Sequence, residues 1–391
     1  MEGDFIKIND WLLPLSWIYG AGVRLRNQMF EMGMLKSRSF DIPVISVGNI
    51  TVGGSGKTPH VEYLINLLRD KVKVAVLSRG YKRKSKGYML ATADTPMSDI
   101  GDEPYQMKKK FADIYVAVDK DRCHGIDQLT ANEETSDTDV ILLDDAYQHR
   151  YVKPGVNILL VDYHRLIMYV KLLPAGRLRE PLMGKARADI VIVSKCPAEL
   201  KPMEFRVITK AMNLFPYQKL YFTTLKYGSL RPIYGGEDRK LDTLTGDTSI
   251  LLLTGIASPQ QMIVDLKPYT ERITPLPFPA RHQYTDADID RINAEFEAMK
   301  GNDKMIVTTE KDNARLCGME GLSDEVKKNI YVLPVEVGFM LDQEEDFNEN
   351  IIGYVRKNSR NSILAKAKDD NKSDNSDNSG IRTRTISFRN N

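Results

Sequence analysis

Pro43-Val44-Ile45-Ser46-Val47, followed by Gly53-Gly54-Ser55-Gly56-Lys57-Thr58 and an apolar helical period over residues 60–69, decides the fold of this chain. The first run reads as a strand buried on both faces. The second is a glycine-rich loop. Val61, Leu64, Ile65 and Leu68 then recur on one helical face. Strand, glycine loop, Lys-Thr and helix in that order form a phosphate-binding loop. Glycines let successive backbone N–H groups turn toward phosphate oxygens, and the helix N-terminus adds partial positive charge. Lys57 is placed to neutralise the β- and γ-phosphates, and the Thr58 hydroxyl to coordinate Mg²⁺. The nucleotide-binding candidates are therefore Thr51, Val52, Gly53, Gly54, Ser55, Gly56, Lys57 and Thr58. Thr51 stands where the usual GxxxxGK[ST] pattern has its first glycine.

Outward from this loop, short apolar runs at 72–77, 114–118, 139–143, 156–161 and 189–193 alternate with helical stretches. That texture predicts an α/β fold with a mainly parallel sheet covered on both faces. A second set of runs, at 220–225, 249–253, 304–307 and 330–335, follows a turn-rich link over 227–240 with Pro232, Gly235 and Gly236. With 391 residues the chain exceeds the usual size of a single core. The expected division is a helical segment over 1–40, a P-loop domain over 41–225, a smaller α/β domain over 226–361 and a disordered tail over 362–391. The tail is rich in Asp, Asn, Ser and Lys and lacks the apolar content to fold.

The run 140–143 ends in Asp144-Asp145. A carboxylate at the end of a buried strand beside a P-loop is placed to meet Mg²⁺, so Thr58, Asp144 and Asp145 are the metal candidates. The run 189–193 is followed by Ser194-Lys195-Cys196-Pro197 and lacks the aspartate of a guanine-reading N/T-K-x-D sequence. ATP is the expected nucleotide.

Charge and composition bound the remaining possibilities. The balance of 55 Lys+Arg against 53 Asp+Glu excludes the strongly basic character of a dedicated nucleic-acid binder. Three dispersed cysteines form neither a disulfide framework nor a CxxC metal site, and point to a reducing compartment. No segment reaches the roughly 18–20 uninterrupted apolar residues of a spanning helix. The first forty residues nevertheless hold both tryptophans, Trp11 and Trp17, among Leu12, Leu13, Leu15, Ile18 and Tyr19. Two readings stand: a helix lying in a bilayer surface, or a helix packed on its own domain. Ser78 to Gly87 carries Arg79, Lys82, Arg83, Lys84 and Lys86, a solvated face or an anion-binding loop.

At this point the chain resembles the tetraacyldisaccharide 4′-kinases, the lipid A 4′-kinases of Gram-negative bacteria. The matching stretches run in order over most of its length: 47–59 around the P-loop, Ser78-Arg79-Gly80-Tyr81, Gly101-Asp102-Glu103-Pro104, 144–150 from Asp144 to Arg150, 172–181 with Arg177 and Glu180, Thr254-Gly255-Ile256-Ala257, 278–284 with His282, and Thr308-Thr309-Glu310-Lys311-Asp312. The resemblance accounts for Thr51, because a TVGGxGKTP loop belongs to that family. It implies two P-loop-type α/β/α domains joined by a short β-linker. It also implies transfer of the γ-phosphate of ATP to the 4′-hydroxyl of tetraacyldisaccharide 1-phosphate, giving lipid IV-A, with Mg²⁺ as cofactor. The setting would be the cytoplasmic face of the inner membrane, reached by a protein expected to be monomeric. A P-loop NTPase acting as a hydrolysis-driven switch or in metal delivery is the alternative.

By the resemblance, Asp102 is the catalytic base, His282 its orienting partner and Lys57 the third catalytic residue. Asp102 read without it is a helix cap before Pro104, and His282 a surface histidine. Arg79, His149, Arg177 and Glu180 match positions near the catalytic centre and are the substrate candidates. Two departures stand out. Ala146 replaces the usual glycine after the paired aspartates, and Ala280-Arg281 replaces a more acidic and histidine-rich pair.

Overall fold

The computed structural model describes residues 9–359, except 257–258, 280–281 and 317–318. The expected disordered tail lies outside the described residues, as do Ala280 and Arg281. In chain order the first unit contributes β1 (Val44–Gly48), β2 (Val74–Ser78), β3 (Met89–Leu90), β4 (Tyr115–Val118), β5 (Val140–Asp144), β6 (Val156–Asp162), β7 (Ile190–Ser194) and β8 (Lys219–Tyr227). The second contributes β9 (Arg231–Pro232), β10 (Ser249–Thr254), β11 (Ile273–Pro277), β12 (Lys304–Thr309) and β13 (Ile330–Leu333), and β14 is Val335–Phe339.

The larger sheet has the order β14-β8-β7-β6-β1-β5-β2-β4-β3. It is parallel except for its edge strands β14 and β3. β1, β2, β5 and β7 are buried at every position, as strands covered by helices on both faces must be. The smaller sheet runs β11-β10-β12-β13-β9 and is parallel except for β9. This is the expected mainly parallel α/β architecture. β1 lies between β6 and β5, so the chain leaves it in one direction and returns on the other side. The crevice at the carboxyl ends of such strands is where an open α/β sheet binds ligands.

The run 330–335 proves to be two strands belonging to two sheets. Pro334 lacks a backbone N–H and cannot continue a ladder, so the strand ends at Leu333. Beyond it, β14 pairs antiparallel with β8. The following helix, Glu344–Asn358, sets Phe347, Ile351 and Val355 into the first unit's core beside Tyr221 and Ile190. Residues 335–358, assigned from sequence to the second domain, thus build onto the first. The two crossing segments touch where the Gly228 N–H donates to the Pro334 carbonyl at 3.1 Å.

Near the N-terminus, the helix Leu13–Glu31 packs on its own domain along one face and leaves the other exposed. One face docks: the Tyr19 hydroxyl donates to the Arg179 carbonyl at 2.6 Å, and Ser16 Oγ donates to the Leu172 carbonyl at 3.1 Å. Phe30 packs edge-on against Tyr151. The other face presents Leu15, Trp17, Ile18 and Leu25, and Trp11 stands in the short turn Asp10–Leu12 just before the helix; Trp11 is 83% and Trp17 71% exposed. No helix among the described residues is long and apolar enough to cross a membrane.

Candidate active site

β1 delivers the glycine loop and the helix Lys57–Leu68 carries it away. Gly56 caps that helix at φ 77°, a left-handed conformation that only glycine adopts freely. Gly48 has a different reason to be glycine. A Cβ there would stand 2.7 Å from the Tyr147 Cβ, so the turn after β5 packs directly on the end of β1. Register sets Val47 opposite Asp144 and brings Asp144-Asp145 alongside the loop. Inside the loop the Asn49 side chain donates to Ser55 Oγ at 2.8 Å. Lys195, from the segment where a guanine reader would stand, donates to the Gly54 carbonyl and reaches Asp162 Oδ2 at 3.1 Å.

Lys57 Nζ lies 3.6 Å from Asp145 Oδ1, and Arg179 Nη1 meets the same oxygen at 3.3 Å. Burial pushes the Lys57 ammonium down, with Asp145 acting against it. For Asp145 burial pulls upward, but Lys57 and Arg179 outweigh it and hold the carboxyl below its ordinary value. Asp144 has no such cation on its side chain. Ser78 Oγ donates to it at 3.3 Å. Burial first, and then Glu103 and Asp145, push it up to about 6. Crowded carboxylate oxygens beside a buried threonine hydroxyl, Thr58, make a hard donor set suited to a hard cation.

Asp102 opens the helix Asp102–Lys110, after Gly101. It does not meet His282. Arg315 Nε and Nη2 both donate to Asp102 Oδ2, at 2.9 and 2.6 Å. Arg315 reaches across from the helix Glu310–Leu316 of the second unit, where it also holds the fully buried Asp312 at 3.1 Å. Lys311 pairs with Glu103 at 3.1 Å, and Lys110 bridges Glu62 and Glu310 at 2.6 and 2.8 Å. His282 instead bonds Asp288 Oδ2 at 2.8 Å and stacks on Phe278. The expected Asp102–His282 pair is absent from this conformation. The reason is local: Asp288 lies six residues from His282 at the head of its own helix, whereas Asp102 is claimed by a guanidinium.

The substrate candidates separate. Arg79 is exposed beside Arg122, whose Nη2 donates to the Asp144 carbonyl at 3.4 Å. His149 follows the paired aspartates, and burial, with Arg122 adding, pulls it down to about 4. Arg177 is exposed and ties to the loop only through its backbone, accepting from the Val52 N–H at 2.8 Å. Glu180 is 3% exposed and turned inward, paired with Arg187 at 2.8 Å and accepting from Gln148. It braces the segment that aims Arg179. Of the basic loop, Arg83 folds back on the Val118 carbonyl, while Lys82, Lys84 and Lys86 stay exposed. Sequence reading passed over Arg179, Arg315, Lys311 and Glu103. All four lie inside motifs it quoted or within a few residues of one, so charge next to a motif was the available signal.

Comparison with known proteins identifies the family. The family model described as LpxK, tetraacyldisaccharide-1-P 4′-kinase, matches residues 8–356. A tetraacyldisaccharide 4′-kinase of Phocaeicola vulgatus is 60% identical over 363 residues, covering 93% of this chain and 99% of the relative. One of Bacteroides thetaiotaomicron is 53% identical over 374 residues, covering 94% and 98%. A crystal structure of LpxK from Aquifex aeolicus in complex with ATP superposes with a TM-score of 0.68 at 30% identity, covering 88% of this chain and 98% of that one. On these grounds the chain belongs to the tetraacyldisaccharide-1-P 4′-kinase family.

Proposed function

We propose that this protein transfers the γ-phosphate of ATP to the 4′-hydroxyl of tetraacyldisaccharide 1-phosphate, forming lipid IV-A. The observation that carries the reading is the meeting of Lys57 with Asp145, next to Asp144 at the strand end, under a glycine loop, in a chain of this family. Residues 51–58 cradle the phosphates, and Lys57 and Arg179 supply positive charge where it builds on the transferring group. Thr58, Asp144 and Asp145 would hold Mg²⁺, which when bound neutralises phosphate charge. Asp102 is the base for the sugar hydroxyl. In the present conformation its acceptor oxygen is occupied by Arg315, so receiving the hydroxyl requires that contact to loosen. Arg79, Lys82, Lys84 and Lys86 face solvent and suit the anionic end of the lipid.

The membrane surface is the second partner. Acyl chains leave a bilayer at a cost of about 0.8 kcal/mol per CH₂, so the enzyme must come to the lipid. The exposed face of the helix Leu13–Glu31, rich in Trp and aliphatic side chains, is where we place that contact, on the cytoplasmic side of the inner membrane. The protein is taken as a monomer.

The test is incubation of ATP with tetraacyldisaccharide 1-phosphate in detergent. Lipid phosphorylation that disappears in Lys57→Ala supports the reading. ATP hydrolysis with no lipid phosphorylated would refute it and leave a P-loop hydrolytic switch.

A further inference from the structure

One group of side chains near the kinase site joins His149, a substrate candidate given no step in the reaction above, to two residues outside every motif quoted. Asp121, Cys123 and His149 bring a carboxylate oxygen, a thiol sulfur and an imidazole nitrogen within 4.8 Å of one another. They come from two places in the sheet. Asp121 is the cap and Cys123 the second residue of the helix Arg122–Ala131, which follows β4; His149 lies in the turn after β5. The ends of β4 and β5, which flank β2 in the sheet, therefore bring His149 to the other two.

We propose that Asp121, Cys123 and His149 form a binding site for a thiophilic divalent cation of the Zn²⁺ class, built from residues other than the magnesium ligands. Three observations carry it. First, His149 Nε2 is a buried imidazole nitrogen with no hydrogen-bond partner, and it lies within ligand distance of the Asp121 carboxylate and the Cys123 sulfur. The nearest candidate, Asp121 Oδ1, is 4.0 Å away, too far for a hydrogen bond and close to the spacing of two ligands around one metal. Second, Asp121 keeps acceptor capacity after capping. Its Oδ1 accepts from the Cys123 and His124 N–H groups at 2.9 and 3.4 Å, and a carboxylate has about four acceptor positions. Third, neighbouring cations do not compete for these groups. Arg122 sends its guanidinium to the carbonyls of Asp119, Lys120 and Asp144, and His124 is taken by Asp119 at 2.6 Å.

Donor chemistry selects the metal. One sulfur, one nitrogen and one oxygen suit zinc or cobalt, with a fourth position left for water. Mg²⁺ takes oxygen donors and is a poor match for thiolate and imidazole. Cysteine ligates as the thiolate, so Cys123 gives up its S–H proton on binding. Binding then replaces that proton: the S–H bond breaks, the metal–sulfur bond forms and one H⁺ leaves to solvent, with no change of oxidation state. An occupied site ties the start of the helix Arg122–Ala131 to the turn carrying Asp144-Asp145.

The experiment uses the full chain with saturating Mg²⁺ and no nucleotide, titrated with Zn²⁺ by calorimetry and with Co²⁺ by absorption. We expect one equivalent bound, release of a proton and a thiolate-to-cobalt charge-transfer band. Cys123→Ser should abolish the band. It should also weaken Zn²⁺ binding by more than about tenfold, since even a partner behind a ligand is worth 10–100-fold, while Mg²⁺-ATP kinase activity is retained. Asp121→Asn keeps a good helix cap and so separates metal loss from misfolding; it should weaken Zn²⁺ in the same sense. Zn²⁺ binding of unchanged affinity in Cys123→Ser, or Co²⁺ bound without the charge-transfer band, would overturn the assignment. The readout is metal binding, so it stands or falls separately from the kinase reaction.

Discussion

Replacing Asp102 by Asn separates chemistry from architecture at the point where the two units meet. Two N–H groups of Arg315 converge on Asp102 Oδ2 at 2.9 and 2.6 Å. Asn keeps an oxygen acceptor there and loses the charge. Hydrogen bonds to charged groups contribute about 1.5–3 kcal/mol and neutral ones about 0.5–1.5 kcal/mol, so the substitution removes about 1 kcal/mol of stability. Asp102 is 27% exposed against 5% for Arg315, which keeps the loss at the lower end. In a protein of 391 residues that lowers Tm by roughly 1–2 °C. The chemical effect is far larger. Losing a general base costs about 10²–10⁴ in rate, or roughly 3–5 kcal/mol on the barrier. The assay is single-turnover phosphorylation of the lipid in mixed micelles at saturating ATP, run beside a thermal melt. The expected result is a rate lower by two orders of magnitude or more in a protein that melts almost normally. A rate near the parent's would make Asp102 an interface residue alone, and a rate loss matched by a collapse of Tm would make its role structural.

Trp11, Trp17 and Ile18 replaced together by Ser should lower binding to anionic vesicles by more than about tenfold, because each buried apolar side chain is worth about 1.5–3 kcal/mol; the melt should not move, since all three are exposed. Deleting the helix outright is a poorer test, because Tyr19 holds the Arg179 carbonyl and the active site would move with it. Asp162 is held down to about 2: burial opposes this, but His164 and Lys195 outweigh it. Its contribution is therefore present above about pH 4 and disappears as pH falls through 2, and Asp162→Asn should cost about 2 kcal/mol by denaturant melt at pH 7 and nothing near pH 2. The same change loosens Lys195 from the phosphate loop and should raise KM for ATP. Glu180→Ala should destabilise by about 3–5 kcal/mol in the same melt, because it strands Arg187. Arg177→Ala should change stability by less than about 0.5 kcal/mol and raise KM for the lipid.

What the sequence determined by itself was everything that depends on neighbouring residues. Consecutive apolar positions in β1, β5 and β7 announce strands buried on both faces. Glycines followed by Lys57-Thr58 announce the loop, and Asp144-Asp145 sits at a strand end that can be counted directly. The motif order then carried the family. What the sequence could not determine was which distant groups meet. The run 330–335 was read as one strand across Pro334, and only the sheet shows that the chain beyond it returns to pair with β8. Asp102 and His282 are adjacent in function by resemblance and apart in this structure, because Arg315 and Asp288 offer each a nearer partner of opposite charge. Glu180, three positions after the exposed Arg177, turns inward, where Arg187 pairs with it. The metal-ligand trio lies on two strand ends and has no sequence signature. Periodicity and caps are local properties written in order along the chain, whereas ion-pair partners and ligand clusters are fixed by sheet order and register, which few local residues encode.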